Sequence, residues 1–415
     1  MHRTRAALFG SLLLLVPAAA DAQVADPQSV HTQDLTLTHG DAIDLFNTVF
    51  QQLREHYVDQ VDADALVEAA ISGLLTSLDP HSKYLDPDRY ADSKAQNSGE
   101  FGGVGVEMAV ENGLIKVLSP IEGSPAFRAG LLPGDLFTHI NGEPARGVTL
   151  TQAMDRMRGS IGTPLRLTIQ RGADSQPFEV TLMRELVRSP AVRWRAEGTV
   201  GYIRITGFTQ QTQPGLENAM TALDAELGER LTGYILDLRD NPGGLLKQAI
   251  SVVDTFLEKG EIVSTRGRNS AGERRYWATP GDMAHGKPIV LIVNGRSASA
   301  SEIVAGALQD QRRAVVLGTQ SFGKGSVQTI TLLSNRGAMR MTTARYYTPS
   351  GRSIQALGIT PDVSVEAATV TPVSSSAKPT DYQLTRALDI VRGAALFQQF
   401  QQVSPTVAQQ AELVE

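Results

Sequence analysis

Residues 289–328 constrain the fold of this chain more than any other stretch. They read I-V-L-I-V-N-G-R-S-A-S-A-S-E-I-V-A-G-A-L-Q-D, and from Arg312 on R-R-A-V-V-L-G-T-Q-S-F-G-K-G-S-V-Q. A short apolar run ends in Asn294-Gly295, a serine cluster follows, and small and apolar residues then recur at helical spacing over 298–308. The pattern predicts strand, tight turn, helix. A second apolar run, 314–317, leads into a glycine-bracketed lysine at Gly323-Lys324-Gly325.

A serine at a strand-to-helix turn is placed for attack, because unpaired N–H groups and the positive end of the helix dipole stabilise negative charge there. The hydroxyl still needs a base at neutral pH. None of the seven histidines stands in a recognisable catalytic context. Lysine can serve when burial penalises its ammonium form and leaves a neutral amine, and Lys324 is the natural candidate. Two plainer readings compete. Ser297, Ser299 and Ser301 could be capping and packing residues. Gly318 to Lys324 also matches the first seven places of a P-loop, but the eighth is Gly325, where magnesium binding needs Ser or Thr. The alternating S-V-Q-T-I-T-L-L that follows predicts a strand, whereas a P-loop opens a helix.

The string N-G-R-S-A-S-A-S-E, followed by Q-D and then by G-T-Q-S-F-G-K-G-S-V-Q, resembles the catalytic region of the C-terminal processing peptidases, tail-specific serine proteases with a Ser-Lys dyad. The resemblance implies that Ser299 is the nucleophile, that Lys324 is the base, and that Gln328 orients or supports the lysine. Further family signatures are L-D-P-H-S-K-Y at 78–84, D-L-R-D-N-P-G-G at 237–244 and Y-Y-T-P-S-G-R-S-I at 346–354. In this light His81 reads as a structural turn residue. The turn at 240–244 implies one oxyanion donor from Gly243 or Gly244, with Gly244 preferred, and the N–H of Ala300 implies the other. The resemblance runs from about residue 41 to residue 392.

Composition narrows the alternatives. The 415-residue chain has a net charge of −6, which gives no basic footprint for nucleic acid, and it has no cysteine, which excludes thiol catalysis, disulfides and cysteine metal sites. The basic start M-H-R-T-R, an apolar segment too short for a membrane span and small residues at Ala20 and Ala22 predict a signal peptide over 1–22, hence a periplasmic protein with no membrane span after cleavage.

Along the mature chain, residues 23–98 form an N-terminal segment. It has a polar lead-in, a helix over 41–57 that Asp41 could cap, and a second helix from 62 or 64 to about 78. Residues 99–185 alternate in short strands broken by glycines, and 124–142 resembles the S-P-A-x-x-A-G-L…N-G pattern of PDZ domains. Such a domain adds a peptide to a sheet edge and holds its terminal carboxylate on backbone N–H groups. The resemblance places that loop at Gly103, Val104, Gly105 and Val106.

Residues 186–366 alternate strands with helices, which predicts an α/β core. The resemblance sharpens this to the spiral ββα core related to the crotonase and Clp peptidase folds. Residues 367–415 read as a Ser/Thr/Pro-rich linker and a C-terminal helix. The implied partners are protein substrates held by their tails, an adaptor and further copies of the chain. No metal or cofactor is implied. A catalytically silent PDZ scaffold, a protease inactive without its adaptor, and a crotonase-like acyl-CoA enzyme are the alternatives.

Overall fold

The computed structural model describes residues 38–172, 175–269, 273–334, 336–367, 369–370 and 380–411. The expected signal peptide and most of the lead-in and linker lie outside these residues. The described residues fall into two compact units divided between Glu68 and Ala69.

Helix α1, His39–His56, carries the expected apolar stripe, and none of its residues is buried. Its N-cap is Thr38, not Asp41. The Asp41 N–H donates to Thr38 Oγ1 at 3.3 Å, and the Thr38 N–H donates back to Asp41 Oδ2 at 3.1 Å, so Asp41 completes a capping box. Helix α2 spans Ala63–Thr76. Strand β1, Lys83–Leu85, leads to α3, Pro87–Ser98, which Asp86 caps and which Gly99 ends at φ 70°.

The next elements are β2 (Glu100–Gly103), β3 (Val106–Glu111), β4 (Leu114–Pro120), α4 (Pro125–Arg128), β5 (Leu136–Ile140), β6 (Glu143–Pro144), α5 (Leu150–Met157), β7 (Pro164–Gln170) and β8 (Phe178–Met183). They form an antiparallel sheet in the order β3-β4-β5-β7-β8, with β6 on β5. Ile115, Val117, Phe137, Leu165, Leu167 and Ile169 point into its own core. Strand β2 instead pairs with β9, Glu185–Arg188, where the chain leaves this module.

The larger core continues through β10 (Val192–Glu197), β11 (Val200–Ile205), α6 (Thr212–Leu227), β12 (Gly233–Asp237), α7 (Leu246–Asp254), β13 (Glu261–Gly267), β14 (Arg274–Trp277), β15 (Ile289–Val293), α8 (Ala300–Asp310), β16 (Val315–Gly318), β17 (Ser326–Leu332), β18 (Ala338–Tyr347) and β19 (Val363–Ser364). Short β20 (Thr369–Val370) and β21 (Thr380–Asp381) precede α9 (Tyr382–Ala411).

One sheet runs β10-β11-β12-β15-β16-β19, parallel from β11 onward. Every residue of β12 and β15 is buried, as expected of parallel strands covered on both faces. Helices α6, α7 and α8 pack on one face, and the first turns of α9 pack on the other through Ala387 and Val391. A second sheet runs β1-β18-β13-β14, with β17 also on β18. The pairing of β1 with β18 brings the L-D-P-H-S-K-Y segment alongside β18, whose other edge carries β17, the strand that follows Lys324.

Candidate active site

The turns after β12 and β15 lie at the carboxyl ends of adjacent parallel strands, where α/β sheets gather their ligand sites. Ser299 immediately precedes α8 with φ 55° and ψ −110°. That backbone is costly for a residue with a Cβ, so the surroundings must impose it. Several bonds do so. Ser297 Oγ donates to Leu238 O at 2.8 Å, the Ala298 N–H donates to Asn241 O at 3.0 Å, and Ser301 Oγ donates to the same carbonyl at 3.0 Å. The Ser299 turn is thereby stapled to the D-N-P-G-G turn.

Contact between the turns requires glycine. A Cβ on Gly243, at φ 100°, would stand 2.7 Å from Ala298 O and 2.9 Å from Ser299 Cβ. The Gly243 N–H is already used, because it donates to Asn241 Oδ1 at 2.9 Å. The N–H groups of Gly244 and Ala300 have no hydrogen-bond acceptor among the described residues. Of the two glycines the sequence left open, Gly244 therefore has the donor to spare, and with Ala300 it offers the paired N–H groups that an oxyanion needs.

On the other side, Gly323, Lys324 and Gly325 pass close to the 354–357 backbone. A Cβ on Gly325 would stand 2.2 Å from the Gln355 nitrogen. Lys324 is half-buried, and burial is the largest influence holding its amine below the ordinary lysine range. The cations Arg340 and Lys83 push in the same direction, and Glu302 opposes them. No hydrogen bond joins Ser299 Oγ to Lys324 Nζ among the described residues.

Glu302, which the sequence reading passed over, joins the two sides. It is fully buried, and four donors converge on it. The N–H groups of Ser299 and Lys324 donate to Oε2 at 2.7 and 2.9 Å, and the Ser321 hydroxyl and Gly323 N–H donate to Oε1, both at 2.6 Å. One carboxylate thus fixes the Ser299 turn and the lysine loop together. Its signal was the serine followed three residues later by glutamate, a capping-box spacing.

Gln328 lies on the lysine side but is turned to other partners. Its Nε2 donates to Ser326 Oγ at 2.8 Å and to Thr342 Oγ1 at 3.4 Å, not to Lys324 itself. The Thr342 hydroxyl in turn bonds Asp79, and the Thr342 N–H donates to Ser82 Oγ at 3.1 Å. Asp79 also takes the His81 N–H at 2.7 Å, the Ser82 N–H at 2.8 Å and the Ser82 hydroxyl at 2.9 Å. Burial would raise the Asp79 carboxyl, but these bonds outweigh it and hold the group below its usual range. His81 is a turn residue whose imidazole nonetheless feels the site: burial, then the nearby Lys324 ammonium, pulls its pKa down.

Gly103, Val104, Gly105 and Val106 lie apart from this cluster. They line a cavity of about 670 Å³ between the smaller module and the core, with Met154 and Arg158 on one side and Thr206 and Gly207 on the other. A Cβ on Gly207 would lie 3.8 Å from Gly243 O, so the cavity reaches toward the D-N-P-G-G turn.

Among the described residues no helix is long and apolar enough to cross a membrane, and no cluster of acidic or histidine side chains is placed to hold a metal ion.

These features agree with the comparisons. The model of peptidase family S41 matches residues 199–365, a PDZ-domain model matches 116–171, and a model of the activating protease CtpB N-terminal domain matches 11–89. A carboxy-terminal-processing protease of Bartonella bacilliformis is 52% identical over 322 residues, covering 77% of this chain and 74% of that protein. A carboxyl-terminal-processing protease of Synechocystis is 34% identical over 397 residues, covering 93% and 92%. A solved photosystem II D1 C-terminal processing protease is 29% identical, with 79% and 88% covered and a TM-score of 0.47. With a PDZ module ahead of an α/β core and a serine at its strained strand-to-helix turn, the chain belongs to the carboxy-terminal-processing serine proteases of peptidase family S41.

Proposed function

We propose that this protein is an exported endopeptidase that cuts proteins near their C-termini through a Ser299–Lys324 dyad. The observation that carries the reading is the pair of unpartnered N–H groups, Gly244 and Ala300, beside the strained Ser299. The neutral Lys324 amine takes the Ser299 proton, and Oγ attacks the scissile carbonyl. The two N–H groups hold the oxyanion, and the lysine returns its proton to the leaving amine. Water then attacks the acyl-enzyme, with the lysine again as base.

In this reading Gln328 orders the lysine side of the pocket through Ser326 and Thr342. The loop 103–106 receives a substrate tail, and tail binding brings Lys324 into contact with Ser299. The absence of a hydrogen bond between the two side chains supports a resting state. The basic, short apolar leader supports export to the periplasm. Adaptor use and self-assembly follow only from family resemblance.

The test is digestion of an unstructured protein by the purified mature chain. Ser299→Ala and Lys324→Ala should each lose at least about a hundredfold in rate while folding normally. Retained cleavage in either variant rejects the dyad and favours a silent scaffold or a different nucleophile.

A further inference from the structure

Three cations gather on the lysine side of the site. Lys83 in β1 stands directly opposite Arg340 in β18, and both act electrostatically on Lys324. Directly opposed like charges destabilise a sheet. A half-buried guanidinium also needs acceptors, yet Arg340 Nε is buried with no hydrogen-bond partner among the described residues. No ion pair of the described residues involves Lys83, Lys324 or Arg340.

The carboxylates that act on this side of the site, Glu302 on Lys324 and Asp79 on His81, do not supply the missing acceptor. Glu302 is occupied by four donors, and Asp79 by His81, Ser82 and Thr342. The position of the cations is also specific. Arg340 faces Ile330 of β17 across one ladder and Lys83 across the other, and the residue two places along the same face of β18 is Thr342, the partner of Gln328. The unpaired guanidinium therefore shares a sheet face with the groups that surround the base.

We propose that Arg340, assisted by Lys83, forms an anion subsite beside the dyad that receives a carboxylate of the substrate peptide, either an acidic side chain or the chain terminus. The inference rests on the reading of Lys324 as the base. A carboxylate there would accept the bonds that Arg340 lacks and relieve the repulsion between the opposed cations. Selectivity for acidic over neutral residues at one substrate position would follow.

The experiment uses the full mature chain and internally quenched peptides in which a single Glu or Gln is scanned across the positions flanking the cut, each made with a free and an amidated C-terminus. Rates are read on the pH plateau of each variant. The expected result is one position where Glu exceeds Gln about tenfold in kcat/KM. That ratio should fall toward one in Arg340→Met and shrink in the exposed-site variant Lys83→Met.

A preference carried by the free terminus instead, and lost in the same variants, supports the subsite and identifies its occupant as the terminal carboxylate. A scan with no preference of either kind, or a preference untouched in both variants, overturns it. So does a change in Arg340→Met that shifts the pH profile of all peptides alike without altering the Glu-to-Gln ratio, since that would be a field effect on Lys324 alone. Ser299→Ala, run on the same peptides, separates the two readings: if it is inactive while the scan is flat, the dyad stands and only the subsite fails.

Discussion

The Glu302 carboxylate accepts the backbone N–H of Lys324 at 2.9 Å across 22 residues of sequence. Since the same oxygen takes the Ser299 N–H at 2.7 Å, the separation of the Ser299 and Lys324 backbones is set by one buried group. Its other oxygen holds Ser321 and Gly323, so the carboxylate has no lone pair idle and the lysine loop is pinned at three points, Ser321, Gly323 and Lys324.

Replacing Glu302 by Gln keeps the volume and removes this symmetry. Whichever way the amide turns, its NH2 faces two donors, and those donors lose their acceptor inside the protein. Each such loss costs about 1–3 kcal/mol, so Glu302→Gln should lower the thermal midpoint by several degrees. It should also cut kcat about tenfold or more through misplacement of Ser299 and Lys324, with KM changing less. Calorimetry and peptide hydrolysis check this together. A variant with wild-type stability and kcat would remove Glu302 from any positioning role.

Much of this site was legible in one stretch. The strand, turn and helix around Ser299 follow from an apolar run, Asn294-Gly295 and helical spacing, and α8 begins two residues later than the periodicity suggests because Ser299 itself stands outside helical backbone. The D-N-P-G-G turn was legible for the same local reason. The choice of Gly244 over Gly243 was not, because it depends on the Asn241 side chain folding back onto the Gly243 N–H.

Long-range bonds were equally invisible. Ser82 and Thr342 are 260 positions apart, and no periodicity in either segment announces that β1 will pair with β18. Helix α3 was missed although Asp86-Pro87 is a helix-start pair. The apolar periodicity that marks the other helices is absent from its polar sequence, P-D-R-Y-A-D-S-K-A-Q-N-S.

Lys324 gives a pH signature in both rate and stability. Burial first, and then Arg340 and Lys83, lower its pKa, so the neutral base is populated at lower pH than an ordinary lysine would allow. Hydrolysis of neutral peptides should rise with pH to a plateau whose midpoint lies below about 10.4, the value of a free lysine. Arg340→Met should move that midpoint to higher pH. In the unfolded chain the same lysine keeps its proton to higher pH, so wild-type stability increases with pH between the folded and unfolded pKa values.

Below the folded value the native state must hold a half-buried ammonium, and Lys324→Met removes that cost. The variant's gain in thermal midpoint should therefore be greatest at low pH and disappear above the unfolded pKa. A gain that grows with pH would show that the amine is not depressed in the fold.

The PDZ module is tied to the core by Glu107 of β3 and Arg193 of β10, an ion pair between the edge strands of two different sheets. Arg193 also lines the cavity behind the loop 103–106. If the module restrains the dyad until a tail enters that cavity, weakening this tie should release activity that no tail has triggered. Glu107→Arg places like charges together and should raise the basal hydrolysis of a short peptide without a tail severalfold. It should also reduce the further stimulation by a tail-bearing peptide. Exchange of both partners, Glu107→Arg with Arg193→Glu, restores the attraction and should return the basal rate toward wild type, which a general loosening of the fold would not do. The pair is about half exposed on the arginine side, so the effect should weaken as salt is raised. An unchanged basal rate in the single variant, or a fall that the double variant fails to reverse, counts against restraint by this contact.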